Sequence, residues 1–290
     1  MFKKILVPLD GSLLSQRALE PAVALADQVG ATLLLVRAPV ADTLSFAVSE
    51  ARQAELRQEV LTYLDSVRAS TEHPNLSLTT QLIEGDVASA IIDVAASQQV
   101  DLISMSTHGY SGLTRWVLGS VTEKVLRSAP CPVLAVRVAR RPQKILITLD
   151  GSELSEGALE PGLSLAQGLG AAVILLRVVP QLTLPASNAD ERDLNQQQQH
   201  ELIEEAETYL QARSVSYARS GVAIKTEVSI GPAAEKILEY IEVFGVDLIV
   251  MATHGRTGLR RWVYGSVTAK VLRGVSCSML VIRPTEFELK

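Results

Sequence analysis

Ile5-Leu6-Val7-Pro8-Leu9-Asp10-Gly11-Ser12 returns 140 positions later as Ile145-Leu146-Ile147-Thr148-Leu149-Asp150-Gly151-Ser152. Ala18-Leu19-Glu20-Pro21 returns at the same shift as Ala158-Leu159-Glu160-Pro161. Farther along the shift grows to 146, where Thr62-Tyr63-Leu64 matches Thr208-Tyr209-Leu210 and Thr107-His108-Gly109 matches Thr253-His254-Gly255. Solenoid units repeat every 20–50 residues or so. A period this long is therefore a whole duplicated domain, and the chain reads as two domains, residues 1–139 and 140–290. The six additional residues of the second copy fall between Pro180 and Thr208.

Within each copy short apolar runs alternate with helical periodicity. Lys4 to Leu9 reads as a buried strand. Ser15 to Gln28 reads as one helix, with Ala18, Leu19, Ala22, Leu25 and Ala26 on a single face. Thr32 to Val36, Leu76 to Ile83, Val100 to Met105 and Pro132 to Val136 are the next strands. Ser49 to Val67, Val87 to Ala96 and Trp116 to Arg127 are helices between them. Strands that alternate with helices imply an α/β domain with a doubly wound parallel sheet, because parallel neighbours need crossover connections. The expected architecture is two tandem five-stranded, Rossmann-like domains. In such sheets ligands sit beyond the carboxyl ends of the strands.

Composition supports two ordinary cores: 290 residues, 47% hydrophobic and 20% charged. The net charge of −5 divides into −3 and −2 between the halves. Neither half carries the excess of Lys and Arg that phosphate backbones or anionic membranes attract. Cys131 and Cys277 are the two cysteines, without a C-x-x-C pair, which fits a reducing compartment. Met1-Phe2-Lys3-Lys4 runs into a strand that turns polar at Asp10, unlike a signal peptide, and no apolar run reaches membrane-spanning length. The expectation is a cytoplasmic protein with no nucleic-acid or membrane partner.

The chemistry concentrates after the fourth strand. Ser106-Thr107-His108-Gly109 is followed by nine residues and then Gly119-Ser120-Val121, which opens a helix. Ala252-Thr253-His254-Gly255 precedes Gly265-Ser266-Val267 at the same spacing. Two glycines bracketing a loop that ends at a helix start let bare main-chain N–H groups approach an anion.

On these residues both halves resemble universal stress protein domains, whose nucleotide-binding members carry G-x2-G-x9-G-[ST] after strand four and an Asp at the end of strand one. Gly109, Gly119 and Ser120 fill three of the four loop positions in the first half, and Gly255, Gly265 and Ser266 in the second. The leading glycine is replaced by Ser106 and Ala252. The resemblance implies that Asp10 and Asp150 accept from ribose hydroxyls, that Ala38 and Val178 offer main-chain groups to adenine, and that Met105 and Met251 pack on the base. It places the phosphates on Gly109, Gly119, Ser120 and Val121, and on Gly255, Gly265, Ser266 and Val267. ATP or ADP is the implied ligand, with Mg²⁺ carried by the phosphates. Dimeric relatives meet through their final strands, which implies an internal pseudo-dimer of the two halves and leaves a further homodimer open.

Other readings stand beside these. Asp-Gly-Ser is also ordinary turn chemistry. His108 and His254 have no nucleophile or carboxylate fixed beside them by sequence, so a structural or phosphate-neighbouring role is expected. Trp116 and Trp262 read as packing anchors. Cys131 and Cys277 read as buried small side chains, and His200-Glu201 as a solvated helix face. No G-x-x-x-x-G-K-[ST] and no G-x-S-x-G is found in the sequence. The functional expectation is thus an ATP-binding, nucleotide-dependent stress-response regulator without catalytic residues, slow hydrolysis left open. An interaction module of the same family with an unused pocket, and a weak ATPase or adenylating enzyme, are the alternatives. Arg256, Arg260 and Arg261, against Arg115 alone in the first loop, predict tighter triphosphate binding in the second half.

Overall fold

The computed structural model describes residues 2–39, 49–71, 76–107, 118–182, 189–253 and 265–283. The chain divides into two compact units, Met1–Arg141 and Pro142–Lys290. The first unit runs β1 (Lys4–Pro8), α1 (Leu13–Gln16), α2 (Leu19–Val29), β2 (Thr32–Arg37), α3 (Glu50–Thr71), β3 (Ser77–Leu82), α4 (Val87–Ser97), β4 (Leu102–Ser106), α5 (Ser120–Ser128) and β5 (Val133–Val136). Its strands lie in the order β3-β2-β1-β4-β5, with β1 parallel to both β2 and β4. The order reverses beside β1, so the carboxyl ends of β1 and β4 flank the crevice where a ligand is expected.

The second unit repeats this with β6 (Lys144–Thr148), α6 (Glu153–Glu156), α7 (Leu159–Leu169), β7 (Ala172–Val179), α8 (Ala189–Ser216), β8 (Ile224–Ile230), α9 (Ala233–Phe244), β9 (Leu248–Ala252), α10 (Ser266–Gly274) and β10 (Ser278–Ile282). Its order is β8-β7-β6-β9-β10. Within each unit the strands pair in parallel, as the alternation of strands and helices requires. The central strands are continuous apolar runs, fully buried at Ile5, Leu6, Val7, Ile145, Leu146 and Ile147, because helices cover both faces.

One expected helix is two. The segment after β1 breaks between α1 and α2, and again between α6 and α7, where the sequence periodicity reads one continuous helix. The cause is Pro21 and its counterpart Pro161. A proline removes the N–H that would bond the carbonyl four residues earlier and its ring crowds that carbonyl, so each helix restarts two residues before its proline. The surplus residues of the second half also find their place: α8 has 28 residues and α3 has 22, and α8 begins about two turns earlier in the repeat.

The amino ends of the sheets are fastened alike. Asp101 Oδ2 accepts from Lys3 N and Lys4 N at 2.8 and 2.9 Å, and Asp247 Oδ2 accepts from Gln143 N and Lys144 N, both at 3.0 Å.

Candidate functional site

At the carboxyl end of β1 the Asp-Gly-Ser turn is closed by its own side chains. Asp10 Oδ1 accepts from Ser12 N at 2.8 Å and from Ser12 Oγ at 2.6 Å. Ser12 Oγ in turn accepts from Ser15 N at 3.1 Å, capping α1. Ser15 Oγ donates to Ser12 O and accepts from Asp10 N. The second copy reproduces every bond: Asp150 Oδ1 accepts from Ser152 N at 3.0 Å and Oγ at 2.6 Å, and Ser155 closes the ring in the same way. Gly11 holds φ +90° and has Arg37 Nη2 2.6 Å from where a Cβ would stand. A side chain there would meet both backbone strain and the guanidinium. The turn reading of these aspartates is therefore correct for one carboxylate oxygen of each.

The start of the last helix is built from backbone. Gly119 N donates to Thr107 O at 3.0 Å and Gly265 N to Thr253 O at 2.8 Å. Each glycine is the N-cap of its helix and offers no side-chain cap bond. The N–H groups of the first turn have no intrahelical acceptor and, with the helix dipole, present positive potential. Thr122 Oγ1 donates to Ser106 O and Thr268 Oγ1 to Ala252 O, both at 3.0 Å, tying each helix to the strand before its loop.

In the second unit these pieces enclose a cavity of about 220 Å³. Seven residues expected from sequence line it together: Asp150, Val178, Met251, Ala252, Gly265, Ser266 and Val267. Gly255 lies outside the described residues, as do His254, Arg256, Arg260, Arg261 and Trp262. Sequence reasoning missed Thr148, Leu149, Ser155, Leu176, Ala233, Ile237 and Thr268 in the lining. Thr268 was within reach of it, since Gly-Ser-Val-Thr is repeated whole at 119–122 and 265–268. Ala233 and Ile237 carried no such signal, because apolar spacing on α9 does not distinguish a cavity wall from core.

The first unit places Asp10 after β1, Ala38 after β2, Met105 and Ser106 at the end of β4, and Gly119, Ser120 and Val121 at the start of α5. Ala38, Met105 and Ser106 are buried there. Gly109, His108, Tyr110, Arg115 and Trp116 lie outside the described residues. The side groups behave as ordinary scaffold. Cys131 is buried, which pushes its thiol up to about 12, and Cys277 is buried too. His200 pairs with Glu204 at 3.1 Å on the exposed face of α8.

The sequence profile of the universal stress protein family matches residues 1–137 and again residues 142–283. The chain belongs to the universal stress protein family. It is a tandem member, with one family domain in each half. Similar proteins include a universal stress protein of Methanocaldococcus jannaschii, 35% identical over 150 residues that make up 50% of this chain and 85% of that protein. The universal stress protein E homolog of Haemophilus influenzae is 27% identical over 98% of both chains. In fold, a crystal structure of a universal stress protein from Archaeoglobus fulgidus aligns over 97% of this chain and 98% of its own at a TM-score of 0.72 and 20% identity. No helix among the described residues is long and apolar enough to cross a membrane.

Proposed function

We propose that this tandem universal stress protein is a cytoplasmic ATP-binding regulator, each half holding one nucleotide at the carboxyl ends of its strands. The observation that carries the reading is the second-unit cavity, where a carboxylate, an apolar slab and an uncapped helix start converge on one space. Asp150 would accept from the ribose hydroxyls, Leu176, Val178, Met251 and Ile237 would sandwich a purine, and the N–H groups of Gly265, Ser266 and Val267 would face the phosphates. In the first half Asp10, Ala38, Met105, Ser106, Gly119, Ser120 and Val121 take the same parts. ADP would fit the same cradle, and Mg²⁺ would accompany the phosphates, bound through their oxygens and water.

The proposal is of a binding protein and assigns no catalytic residue. Phosphoryl transfer needs an oriented nucleophile and a held metal. The buried Cys131 thiol and the exposed His200–Glu204 pair supply neither.

Mass spectrometry of small molecules released from freshly purified protein should find ATP or ADP, and calorimetry on stripped protein should show binding. A Gly119→Leu substitution sharpens the test. A Cβ at Gly119 would come no nearer than 3.5 Å to Thr107 O, so lost binding with a kept thermal midpoint would report on the cradle and not on the fold. No released nucleotide and no heat with either ATP or ADP would overturn the proposal.

A further inference from the structure

β6 ends on Thr148 where β1 ends on Pro8. In the sheet register Thr148 stands beside Leu176 of β7, and Ile147 beside Val250 of β9. A Cβ built on Gly162 of α7 would lie 2.7 Å from Ile147 Cδ1 and 3.3 Å from Val250 Cγ1, so those two side chains face α7. Strand alternation turns Thr148 and Met251 to the opposite face. There, with Leu176, they line the cavity against Ile237 of α9. Thr148 is only 9% exposed, and its hydroxyl has no hydrogen-bond partner among the described residues. A hydroxyl that faces an otherwise apolar cavity loses its access to water when a ligand fills the space, which costs free energy unless the ligand supplies a partner.

We propose that Thr148 is a specificity residue of the second-half site, its hydroxyl reading a polar edge of the bound purine base. This rests on the nucleotide reading above. Its neighbours Leu176, Met251 and Ile237 are the surfaces a flat base would cover. The sugar and phosphate positions belong in that reading to Asp150 and to the start of α10. A threonine hydroxyl both donates and accepts, so it can meet a ring nitrogen or an exocyclic amine. Pro8 offers neither, which makes the two halves unequal readers of the same ligand class.

The test uses the full chain carrying Asp10→Ala, so that calorimetry reports the second site. Thr148→Val keeps the shape and removes the hydroxyl, and Thr148→Pro installs the first-half residue. Both should weaken ATP about five- to tenfold, the scale of one net hydrogen bond, while Thr148→Ser stays within about twofold. Without ligand the Thr148→Val protein should melt no earlier than its parent, since no protein hydrogen bond is lost. ATP analogues lacking the 6-amino group, N7 or N3 complete the cycle. One of them should lose the same factor against Thr148 and nothing further against Thr148→Val. Equal ATP affinity for Thr148→Val and its parent overturns the proposal, as does a loss for every analogue that is the same in both. If instead the unmodified chain gives no heat with ATP, the nucleotide reading itself fails.

Discussion

The two halves share a turn and differ in how it is supported. Behind Asp10-Gly11-Ser12, Arg37 lies over the Tyr63 ring at 4.2 Å, and Gln16 Nε2 donates to Tyr63 Oη at 3.1 Å. Behind Asp150-Gly151-Ser152, Tyr209 Oη donates instead to the Glu156 carboxylate at 2.9 Å. Arg213 pairs with Glu156 at 3.3 Å, and the buried Arg177 pairs with Glu205 at 3.1 Å. Arg177 also lies over the Tyr209 ring, at 5.0 Å, so what has changed is the partner of the tyrosine hydroxyl, a neutral amide in one copy and a carboxylate in the other. The lining has drifted as well, with Val36, Ala38, Val87 and Ser106 standing where the second half has Leu176, Val178, Ala233 and Ala252. Duplication has kept the Asp-Gly-Ser and Gly-Ser-Val-Thr backbones, and freed the side chains around them to diverge.

The largest effect should fall on the shared part. Asp150→Ala removes a charged acceptor from the cavity and should raise the second-site Kd for ATP about 10- to 100-fold, the scale of a hydrogen bond to a charged group. Asp10→Ala should do the same to the first site. Asp150→Asn keeps an acceptor for Ser152 and separates loss of charge from loosening of the turn. Two-site calorimetry reads all three. Unchanged affinity in both alanine variants would leave these aspartates as turn residues alone.

The clasps should differ next. Tyr209→Phe breaks a bond to a carboxylate, costing about 1.5–3 kcal/mol, whereas Tyr63→Phe breaks a neutral one at about 0.5–1.5 kcal/mol. Urea unfolding of the two variants measures the gap, and equal losses would mean that the carboxylate partner adds nothing. Burial, and then the neighbouring Glu156, push the Tyr209 hydroxyl above its ordinary value of 10.0. A raised pKa contributes stability that is present below that value and lost as pH rises past it. Tyr209→Phe should therefore also flatten the alkaline fall in stability above about pH 10.

Core packing gives a smaller contrast. Gly162 of α7 corresponds to Ala22 of α2, and the space that a Cβ at Gly162 would need is held by the Ile147 Cδ1 methyl and Val250 Cγ1. The first half has Val7 and Ser104 in those places. Gly162→Ala should overpack the second core by about 1–3 kcal/mol, less about 1 kcal/mol regained in helix propensity. Adding Ile147→Val should remove the conflict and recover the loss. A Gly162→Ala single variant as stable as its parent would show that Ile147 swings aside freely.

These contrasts also mark what was legible in the chain. The duplication, the strand and helix alternation and the crevice at the strand ends were readable because each is a backbone pattern that repeats. The break between α1 and α2 was readable in principle, since Pro21 sits inside an otherwise regular apolar period. Ser15 and Ser155, by contrast, look like any helix-start serines, and only the folded turn shows them holding Asp10 N and Asp150 N. Asp101 and Asp247 recur at the repeat spacing, yet nothing local reveals that they fasten strands 97 and 103 residues away. Thr148 is the sharper case. A β-branched residue closing an apolar strand reads as core, and its hydroxyl matters only once α9 is seen to close the cavity above it.

The smallest predicted difference lies at the helix that walls the crevice. α4 is capped by Asp86, whose Oδ1 accepts from Ser89 N at 3.0 Å, from Ser89 Oγ at 2.7 Å and from Lys124 Nζ at 2.6 Å. α9 has Pro232 at the same position and no side-chain cap bond. Lys124 first, and then Ser89, hold the Asp86 carboxyl well below its ordinary value of 3.8. A depressed pKa contributes stability that is present above the ordinary value and lost as pH falls below it toward the lowered one. Asp86→Asn still caps the helix but lacks the charge that Lys124 meets, so at neutral pH its thermal midpoint should lie somewhat below its parent's, and between pH 4 and pH 2 it should fall less steeply until the two converge. The group is exposed, so raising salt to about 1 M should shrink the difference. Parallel acid limbs at low salt would mean that this cap carries no pH-linked stability, and that on this wall the two halves are equivalent after all.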